Sequence, residues 1–554
     1  MQRRTFAALS IGVGLLVGAL ATLFFYDKQF GLSVPLFVGI VSAALLVLSV
    51  PAGRRINRRN LWPLLPILFF ALMVAVRDDW MILWLNLGAI TALGALLFHY
   101  LTLQRPLDTD SFAEQTGSVL QAGFMLLPYA AAETGQAWAW LREARHDRGR
   151  QFTSVLRGLA FAAPVILVFA LLLGSADAVF AGYVNGAFDG IRRMLGIDFM
   201  SDGIAQIGAT LIFGAIMTGA IAYGLMRRMP ETASEAVDSD GDPLPLTQNQ
   251  EKRKPAFKLS MIESGIVLGS VVLLFAAFVV VQFTYFFGGE SNVGIQRLTY
   301  AQYARRGFFE LVAVSTMTLG LALFLDRVTM RHDGRENTVF RGLSVLLAAL
   351  TTVLVTSAAQ RMWLYEEAYG FTQLRVYTHV AIVWLGVMLG VFVLALFRLR
   401  RNVFSLGTLL VLIGYLGTLN LMNVDYYIAE RNIARQAGQE LDIAFLNTLS
   451  ADAVPVILPF FQQLQPDSEV RAWAGQWLAR QIYILEGKKA GNGSTIFSFN
   501  AGQETALMML NSTSDPFPEY DSSLWYSSFW STTDAEYEDY RDATAESLIT
   551  PVTR

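Results

Sequence analysis

The sequence predicts an all-α, polytopic membrane protein of about eleven transmembrane helices, with a small helical C-terminal domain outside the membrane. Two observations predict this fold class. Of the 554 residues, 54% are hydrophobic and only 16% are charged, whereas ordinary globular domains carry roughly 25% charged residues. In addition, apolar runs of about 18 residues or more recur along the chain, and a soluble core helix rarely needs that length.

The predicted spans fall into a group of six before the polar stretch at 229–257 and a group of five after it. In chain order they cover residues 5–26, 31–50, 61–76, 80–103, 154–183, 203–226, 259–287, 307–325, 340–359, 376–397 and 402–422. The third is short and contains Pro63 and Pro66. The first has a basic start but no small-residue cleavage site, and it is too long for a signal-peptide core, so we predict that it is retained.

The distribution of Lys and Arg between the short loops predicts the orientation. Basic residues precede the first span and follow the second, sixth, eighth and tenth. These loops alternate with basic-poor ones such as 26–31 and 77–79. Because cytoplasmic loops are enriched in Lys and Arg, eleven spans place the N-terminus in the cytoplasm and the C-terminus outside it.

Composition divides the chain into five regions. They are a first transmembrane half (1–228), a disordered cytoplasmic linker (229–257), a second transmembrane half (258–422), a small helical extracytoplasmic domain (423–486) and an acidic, aromatic-containing tail (487–554). The linker is assigned from its low hydrophobicity and its Pro, Ser, Asp and Gln content. Within the first half, residues 104–153 mix apolar and polar residues at helical spacing. That segment is either an amphipathic helix on the inner membrane surface or a connector packed on the bundle.

Charge and residue usage exclude several classes of function. Up to Met422 there are 34 basic against 27 acidic residues, and from Asn423 onward 8 against 18. The basic residues are scattered between apolar segments, which predicts the lipid bilayer as the partner and no nucleic acid. The chain contains no cysteine, so disulfides and thiolate sites are excluded. The four histidines lack metal-ligand spacing, and Walker and Gly-x-Ser-x-Gly motifs are absent, so we predict no metal and no cofactor.

Three polar segments at the ends of predicted spans combine Tyr, Arg, Glu and Asp in close succession. They are residues 298–310, 361–377 and 423–435. The loop alternation puts all three on the outer side of the membrane. On a helix, Arg306 and Glu310 are four residues apart and share a face, so they can form an ion pair.

The residues 298–313 and 365–377, which overlap the first two of these segments, resemble two signatures of one family. The residues 174–180 resemble a third, less specific signature of the same family. The family consists of bacterial multipass membrane proteins known as domain of unknown function 4173, with a sibling numbered 4153. The resemblance covers most of residues 1–465, and the chain departs from the family after about Lys488. It implies a protein of the bacterial cytoplasmic (inner) membrane, and it brings no known activity or catalytic residues.

Several outer helix ends together offer a candidate ligand-binding pocket. Its predicted residues are Tyr300, Tyr303, Arg305, Arg306, Glu310, Arg361, Glu367, Tyr369, Arg375, Asp425 and Asp177. Charged residues at membrane depth are costly and usually face a partner, a cavity or a pathway. The competing interpretation is that the charged residues only lock neighbouring helices together and that the tyrosines belong to the interfacial aromatic belt.

Two functions follow from the pocket interpretation. In the first, the protein is not an enzyme and binds a ligand or partner at its outer face in envelope sensing, transport or assembly. Arg305, Arg306 and Arg375 then hold an anionic small molecule or lipid, because the guanidinium fork donates two hydrogen bonds to one carboxylate or phosphate. In the second, the protein is a transferase or hydrolase of lipid-linked, phosphate-bearing substrates. A carboxylate then serves as general base, with Glu310, Glu367, Asp425 and Asp177 as the candidates.

Overall fold

The computed structural model of the chain describes residues 3–49, 56–102, 107, 110–143, 202–226, 259–287, 308–331, 333–397, 403–435, 441, 443–490 and 495–520. In these ranges the chain is helical, apart from short turns and one isolated bridge between Leu259 and Thr329. We number the described α-helices in chain order. They are α1 (Arg3–Phe25), α2 (Ser33–Ser49), α3 (Leu64–Val74), α4 (Trp80–Tyr100), α5 (Phe112–Glu143), α6 (Asp202–Met226), α7 (Met261–Phe287), α8 (Phe308–Val328), α9 (Gly334–Tyr369), α10 (Gln373–Phe397), α11 (Val403–Met422), α12 (Val424–Arg435), α13 (Ile443–Leu446), α14 (Val454–Gln463), α15 (Glu469–Ala490) and α16 (Ala501–Ser512).

Within the described ranges, eight helices are long and apolar enough to cross a membrane, namely α1, α4 and α6 to α11. The predicted all-α, polytopic membrane fold is therefore confirmed. Helix α2 is apolar but shorter, with 17 residues, and α3 has 11 residues, about half of what a crossing needs. The predicted span at 154–183 and the linker at 229–257 lie outside the described residues.

The chain divides into two compact units. Unit 1 comprises residues 1–75, 87–236 and 492–499. In it, α1 packs along α6, and α5 packs against both. The segment 104–153, for which the sequence left open an amphipathic helix on the membrane surface or a connector packed on the bundle, thus contains the 32-residue helix α5. This helix is in contact with α1 and α6.

Glycines make the close approach between α1 and α6 possible. A Cβ atom added to Gly18 would lie 2.4 Å from the backbone nitrogen of Gly214. Two threonines next to this contact are linked, since Thr210 donates a hydrogen bond to the hydroxyl of Thr22 over 3.0 Å. Small residues that let helix backbones approach closely are a usual means of helix association in membranes.

Unit 2 comprises residues 76–86, 237–491 and 500–554. Its membrane part is built around α9, which packs against α7, α8 and α10, while α10 packs against α11. Buried side chains that include Leu268, Phe275, Leu325, Phe340 and Leu354 form the core between these helices.

Helix α9 is longer than the predicted span at 340–359. It has 36 residues, or about 54 Å at 1.5 Å per residue, against roughly 30 Å for the hydrocarbon layer. The apolar run stops before the charged residues at 361, 366 and 367, but nothing breaks the helix until Gly370. The helix therefore carries the polar segment 361–369 beyond its apolar section.

The C-terminal helices α12 to α16 share one core with the ends of the membrane helices of unit 2. Trp477 and Leu478 of α15 are fully buried, and they belong to the same cluster as Ile428 of α12, Ile82 of α4 and Val376 of α10. The domain is thus packed onto the span ends by apolar contact.

Helix α16 falls in the segment that the sequence analysis assigns to the tail. Asn500 caps its first turn by accepting a hydrogen bond from the Gln503 amide over 3.1 Å. Its buried residues are Ala506, Leu507 and Leu510. Only three of the 12 residues are buried, and the exposed Met508 lies among them, so the helical period does not stand out from the sequence.

Substituting Gly18 tests the α1–α6 packing. We expect Gly18→Val to destabilise the protein by about 1–3 kcal/mol, because the added side chain collides with the α6 backbone. Gly12→Val is the matched control on the same helix, since a Cβ atom at Gly12 meets nothing within 4 Å. Thermal unfolding in mild detergent measures both, and equal midpoints for the two variants would contradict this packing.

Candidate functional site

Two polar groups of unit 2 are the candidate sites. The first, which we name the carboxylate cluster, consists of Asp78, Asp79, Asp425 and Asp452. The second, which we name the Glu366 site, consists of Glu366 and His379 with the flanking Tyr365 and Arg375. Both lie where the C-terminal helices meet the ends of membrane helices.

Asp79 fixes the start of α4. Its Oδ1 accepts hydrogen bonds from the backbone amides of Met81, at 2.8 Å, and Ile82, at 3.4 Å. These amides have no partner within the helix, which is why aspartate is favoured at this position. The other oxygen, Oδ2, accepts a hydrogen bond from the hydroxyl of Tyr377 on α10 over 3.0 Å. One buried carboxylate therefore joins the start of α4 to α10.

Asp425 joins the second and third polar segments. It lies in the first turn of α12, and 1% of its surface is exposed. Its Oδ1 accepts a hydrogen bond from the Gln373 side chain over 2.7 Å, and its Oδ2 accepts one from the backbone amide of Ser450 over 2.8 Å. Both oxygens are thus engaged in holding structure.

Asp78 and Asp452 link the turn before α4 to the residues 450–453. Asp452 accepts a hydrogen bond from the Asp78 amide over 3.1 Å, and Asp78 accepts one from the Ala451 amide over 3.4 Å. Asp78 also accepts hydrogen bonds from Lys488, at 3.3 Å, and from Gln503. The residues Ser450 to Ala453 are in this way attached to the turn before α4.

The arginine of this turn points to a helix end. Arg77 Nε donates to the carbonyl oxygen of Asn420 over 2.8 Å, and its Nη2 donates to that of Leu421 over 3.4 Å. These are carbonyls at the C-terminus of α11, where positive charge is favourable. In the described part of the chain, the ion pair between Lys488 and Asp78 is the one that involves the carboxylate cluster.

Burial raises the pKa of three carboxyl groups of the cluster. Burial, and then the neighbouring charge of Asp78, raises the pKa of Asp452 to about 7. Burial, and then Asp425, raises the pKa of Asp79 to about 6. Burial also raises the pKa of Asp425, although its hydrogen bonds from Gln373 and Ser450 oppose that shift. These carboxyl groups thus bind protons more tightly than they would in water.

The Glu366 site contains a buried carboxylate with one unused oxygen. Glu366 lies near the end of α9 with 2% of its surface exposed. Its Oε2 is 3.0 Å from Nδ1 of His379 on α10, while its Oε1 is buried and has no hydrogen-bond partner among the described residues. Since the great majority of buried polar atoms are paired, Oε1 is a position where a donor from a ligand would gain a hydrogen bond.

Arg375 fixes the loop between α9 and α10. Its guanidinium lies over the ring of Tyr365, 4.4 Å from the centroid, and donates to the Tyr365 hydroxyl over 3.2 Å. It also donates to the carbonyl oxygen of Gly370 over 2.7 Å. The two hydrogen bonds to a carboxylate or phosphate that were predicted for the Arg375 guanidinium would compete with these contacts.

Helix α12 holds the same loop from the other side. The side-chain amide of Asn432 accepts from the Phe371 amide over 2.7 Å and donates to its carbonyl oxygen over 2.9 Å. Arg435 donates to the carbonyl oxygen of Glu367 over 2.6 Å. The structure thereby brings the polar segments 361–377 and 423–435 together.

The predicted site residues are distributed as follows. Arg361, Glu367 and Tyr369 lie in the last turns of α9, where Arg361 is half-buried and the Glu367 side chain is exposed. Glu310 is in the first turn of α8, and its side chain lies outside the described part, as does that of Tyr369. Asp177, Tyr300, Tyr303, Arg305 and Arg306 are also outside the described residues.

Sequence reasoning missed Asp78, Asp79, Asp452 and His379 as site residues, and it left Glu366 out of the predicted pocket although this residue lies in the polar segment 361–377. The signal for two of them is the pair of consecutive acids at 78 and 79 between two apolar runs. His379 had no signal, because it meets Glu366 across a loop rather than at helical spacing. Within the described ranges, no group of three His, Cys, Asp or Glu residues is arranged to hold a metal ion.

Gly370 tests the loop that carries the Glu366 site. Its φ of 78° and ψ of 178° belong to a region that is essentially restricted to glycine. A Cβ atom there would also lie 2.9 Å from Oδ1 of Asn432. We expect Gly370→Ala to destabilise the protein by about 1–3 kcal/mol, whereas Gly390→Ala on α10, with nothing within 4 Å, should not. Thermal unfolding of the two variants is the check, and a harmless Gly370→Ala would contradict the loop conformation.

Comparison with known proteins gives a family. No curated protein and no solved structure matches the chain. The family model of DUF4153, a domain of unknown function, matches residues 64–459. This is the sibling named with the resemblance found in the sequence, and the matched region contains α3 to α13 and the start of α14. The chain therefore belongs to the DUF4153 family of unknown function.

Proposed function

We propose that the protein binds a ligand or partner at the extracytoplasmic end of unit 2, in envelope sensing, transport or assembly. The observation that supports this most is the unpaired Oε1 of Glu366, a carboxylate oxygen buried beside His379 at the end of a membrane helix. An acidic group in such a position is costly and is kept where it meets a partner. A hydrogen-bond donor of the ligand would complete its pairing.

The ligand class proposed is an anionic small molecule or lipid that also carries a hydrogen-bond donor. Arg305 and Arg306 supply the guanidinium groups for the anionic part, as expected from their fork geometry. Glu366 receives the donor. Arg375 has a positioning role in this proposal, because it is already bound to Tyr365 and to the Gly370 carbonyl.

The outward orientation is part of the proposal. Helix α9 has Arg335 and Arg341 near its first turn and Glu366 near its last. The positive-inside tendency then favours a cytoplasmic start and an extracytoplasmic end for this helix. The same rule gives a cytoplasmic N-terminus and an extracytoplasmic C-terminus in the bacterial inner membrane.

No observation among the described residues favours the alternative of a transferase or hydrolase. A general base must reach the proton that it abstracts. Asp425, one of the candidate bases, has 1% of its surface exposed, and both of its oxygens accept hydrogen bonds. This speaks against Asp425 as the general base, and binding is the function that we propose.

Native mass spectrometry of the purified protein in mild detergent tests the proposal. We expect a discrete added mass on the natural protein that is lost in an Arg305→Glu/Arg306→Glu variant and weakened in Glu366→Gln. The conservative Gln keeps the shape but replaces one acceptor oxygen by a donor, which cannot accept a hydrogen bond from the ligand. The mass of the species gives its chemical class.

Arg335→Glu is the matched control, because it is an exposed arginine at the opposite end of α9. It should retain the added mass. If no variant changes the bound species, or if none is bound to the natural protein under any mild condition, these residues serve only to lock helices together and the proposal fails.

A further inference from the structure

The C-terminal helices are attached to the membrane part of unit 2 through the four-residue turn 76–79. Besides the contacts of Asp78, the side chain of Asn500 donates to the Arg77 carbonyl oxygen over 2.9 Å. The amide of Gly502 donates to the Val76 carbonyl oxygen over 3.1 Å. The turn is therefore covered by the start of α16, and its contacts break if the domain lifts.

This attachment encloses more negative than positive charge. Asp79, Asp425 and Asp452 each have 4% or less of their surface exposed. No cation is within ion-pairing distance of these three carboxylates in the part of the chain that the structure describes. Taking unpaired charges out of water is costly, and a buried carboxyl group avoids the cost by binding a proton.

The remaining groups around the cluster form no ion pair with these three carboxylates in the described part of the chain, although the charge of Arg77 partly opposes the rise in the pKa of Asp452. Helix α10 contributes the neutral Gln373 and Tyr377, and α11 contributes carbonyls, to which Arg77 is turned. Helix α15 contributes Lys488, which is bound to Asp78. The next charges along α15 and α16, Lys489 and Glu504, pair with each other at 2.8 Å.

We propose that the protonation of the buried Asp79, Asp425 and Asp452 controls how firmly the C-terminal helices are held on the turn 76–79, so that this domain is seated at acidic pH and loosens as the external pH rises. The cluster is then a proton-sensitive coupling between the domain and the span ends. It acts independently of whether a ligand binds at the Glu366 site.

The direction follows from the pKa values in the seated state. Once exposed to water, each carboxyl group returns to an ordinary pKa of about 3.9. Asp79 is raised to about 6 and Asp452 to about 7. A carboxyl group whose pKa is raised in the seated state stabilises that state fully at a pH below its ordinary pKa. This stabilisation is lost as the pH rises through the raised pKa. Between these limits, the ratio of seated to released protein falls about tenfold per pH unit for each such group.

Distance measurement between two spin labels tests this coupling. Because the chain has no cysteine, cysteines placed at Leu374 on α10 and Met508 on α16 are labelled alone, and both positions are well exposed. In the full-length protein in nanodiscs, we expect one distance population at pH 5. A second, longer population should grow from pH 6 to pH 8.

Neutral variants of the same shape distinguish the cluster from other acids. In Asp452→Asn, the short-distance population should persist to a higher pH than in the natural protein. The fall in the ratio of seated to released protein should be smaller by about a factor of ten per pH unit, because one titrating group is removed. Asp79→Asn should act in the same direction. Asp467→Asn, at an exposed aspartate of the same domain, should behave as the natural protein. An unchanged distance from pH 5 to pH 8 in the natural protein would overturn the proposal, as would identical titrations of the Asp452→Asn and Asp467→Asn variants.

Discussion

The turn 76–79 is the constraint on which the arrangement of unit 2 depends. It is only four residues long, yet it uses the carbonyl oxygens of Val76 and Arg77, the amide of Asp78 and three charged side chains to bind other elements. Each of these backbone groups is hydrogen-bonded to the C-terminal helices, and a typical intramolecular hydrogen bond contributes a net of about 0.5–1.5 kcal/mol. The C-terminal helices therefore supply the hydrogen-bond partners of the turn, and the same hydrogen bonds hold these helices in place.

A second attachment, at the loop between α9 and α10, works in a different way. There the contacts are made by Asn432, Arg435 and Arg375, and all of them reach backbone groups of residues 367–371. Gly370 provides the backbone conformation that the contacts need. Because these contacts do not depend on carboxyl groups, this attachment should be less sensitive to pH than the turn. The two together hold the ends of α4, α9, α10 and α11 against one domain.

The fold class could be predicted because lipid imposes long apolar helices, whose signal is strong in the sequence. The boundaries of α9 were harder, because charged residues end the apolar run while the helix goes on to Tyr369. The convergence of the segments 361–377 and 423–435 agrees with their shared position at span ends. The role of Arg375 could not be predicted, because the sequence does not distinguish an arginine that binds Tyr365 and a backbone carbonyl from an arginine that binds an anionic ligand.

The carboxylate cluster could not be predicted, because its members come from three distant parts of the chain. Asp79 and Asp452 are 373 residues apart in the sequence. They become neighbours because the residues 451–453 and the start of α16 pack against the turn 76–79. Single aspartates after a loop look like ordinary helix caps, which Asp79 in fact also is. Their number becomes meaningful only when their shared burial is known.

The most direct test of the account is the side of the membrane on which the cluster and the Glu366 site lie. Single cysteines at Asp467, in the C-terminal domain, and at Arg335, at the other end of α9, can be treated with a membrane-impermeant maleimide in spheroplasts. The account predicts that the cysteine at 467 reacts at once and that the cysteine at 335 reacts only after permeabilisation. The reverse pattern would place the domain in the cytoplasm and would contradict the proposed envelope function.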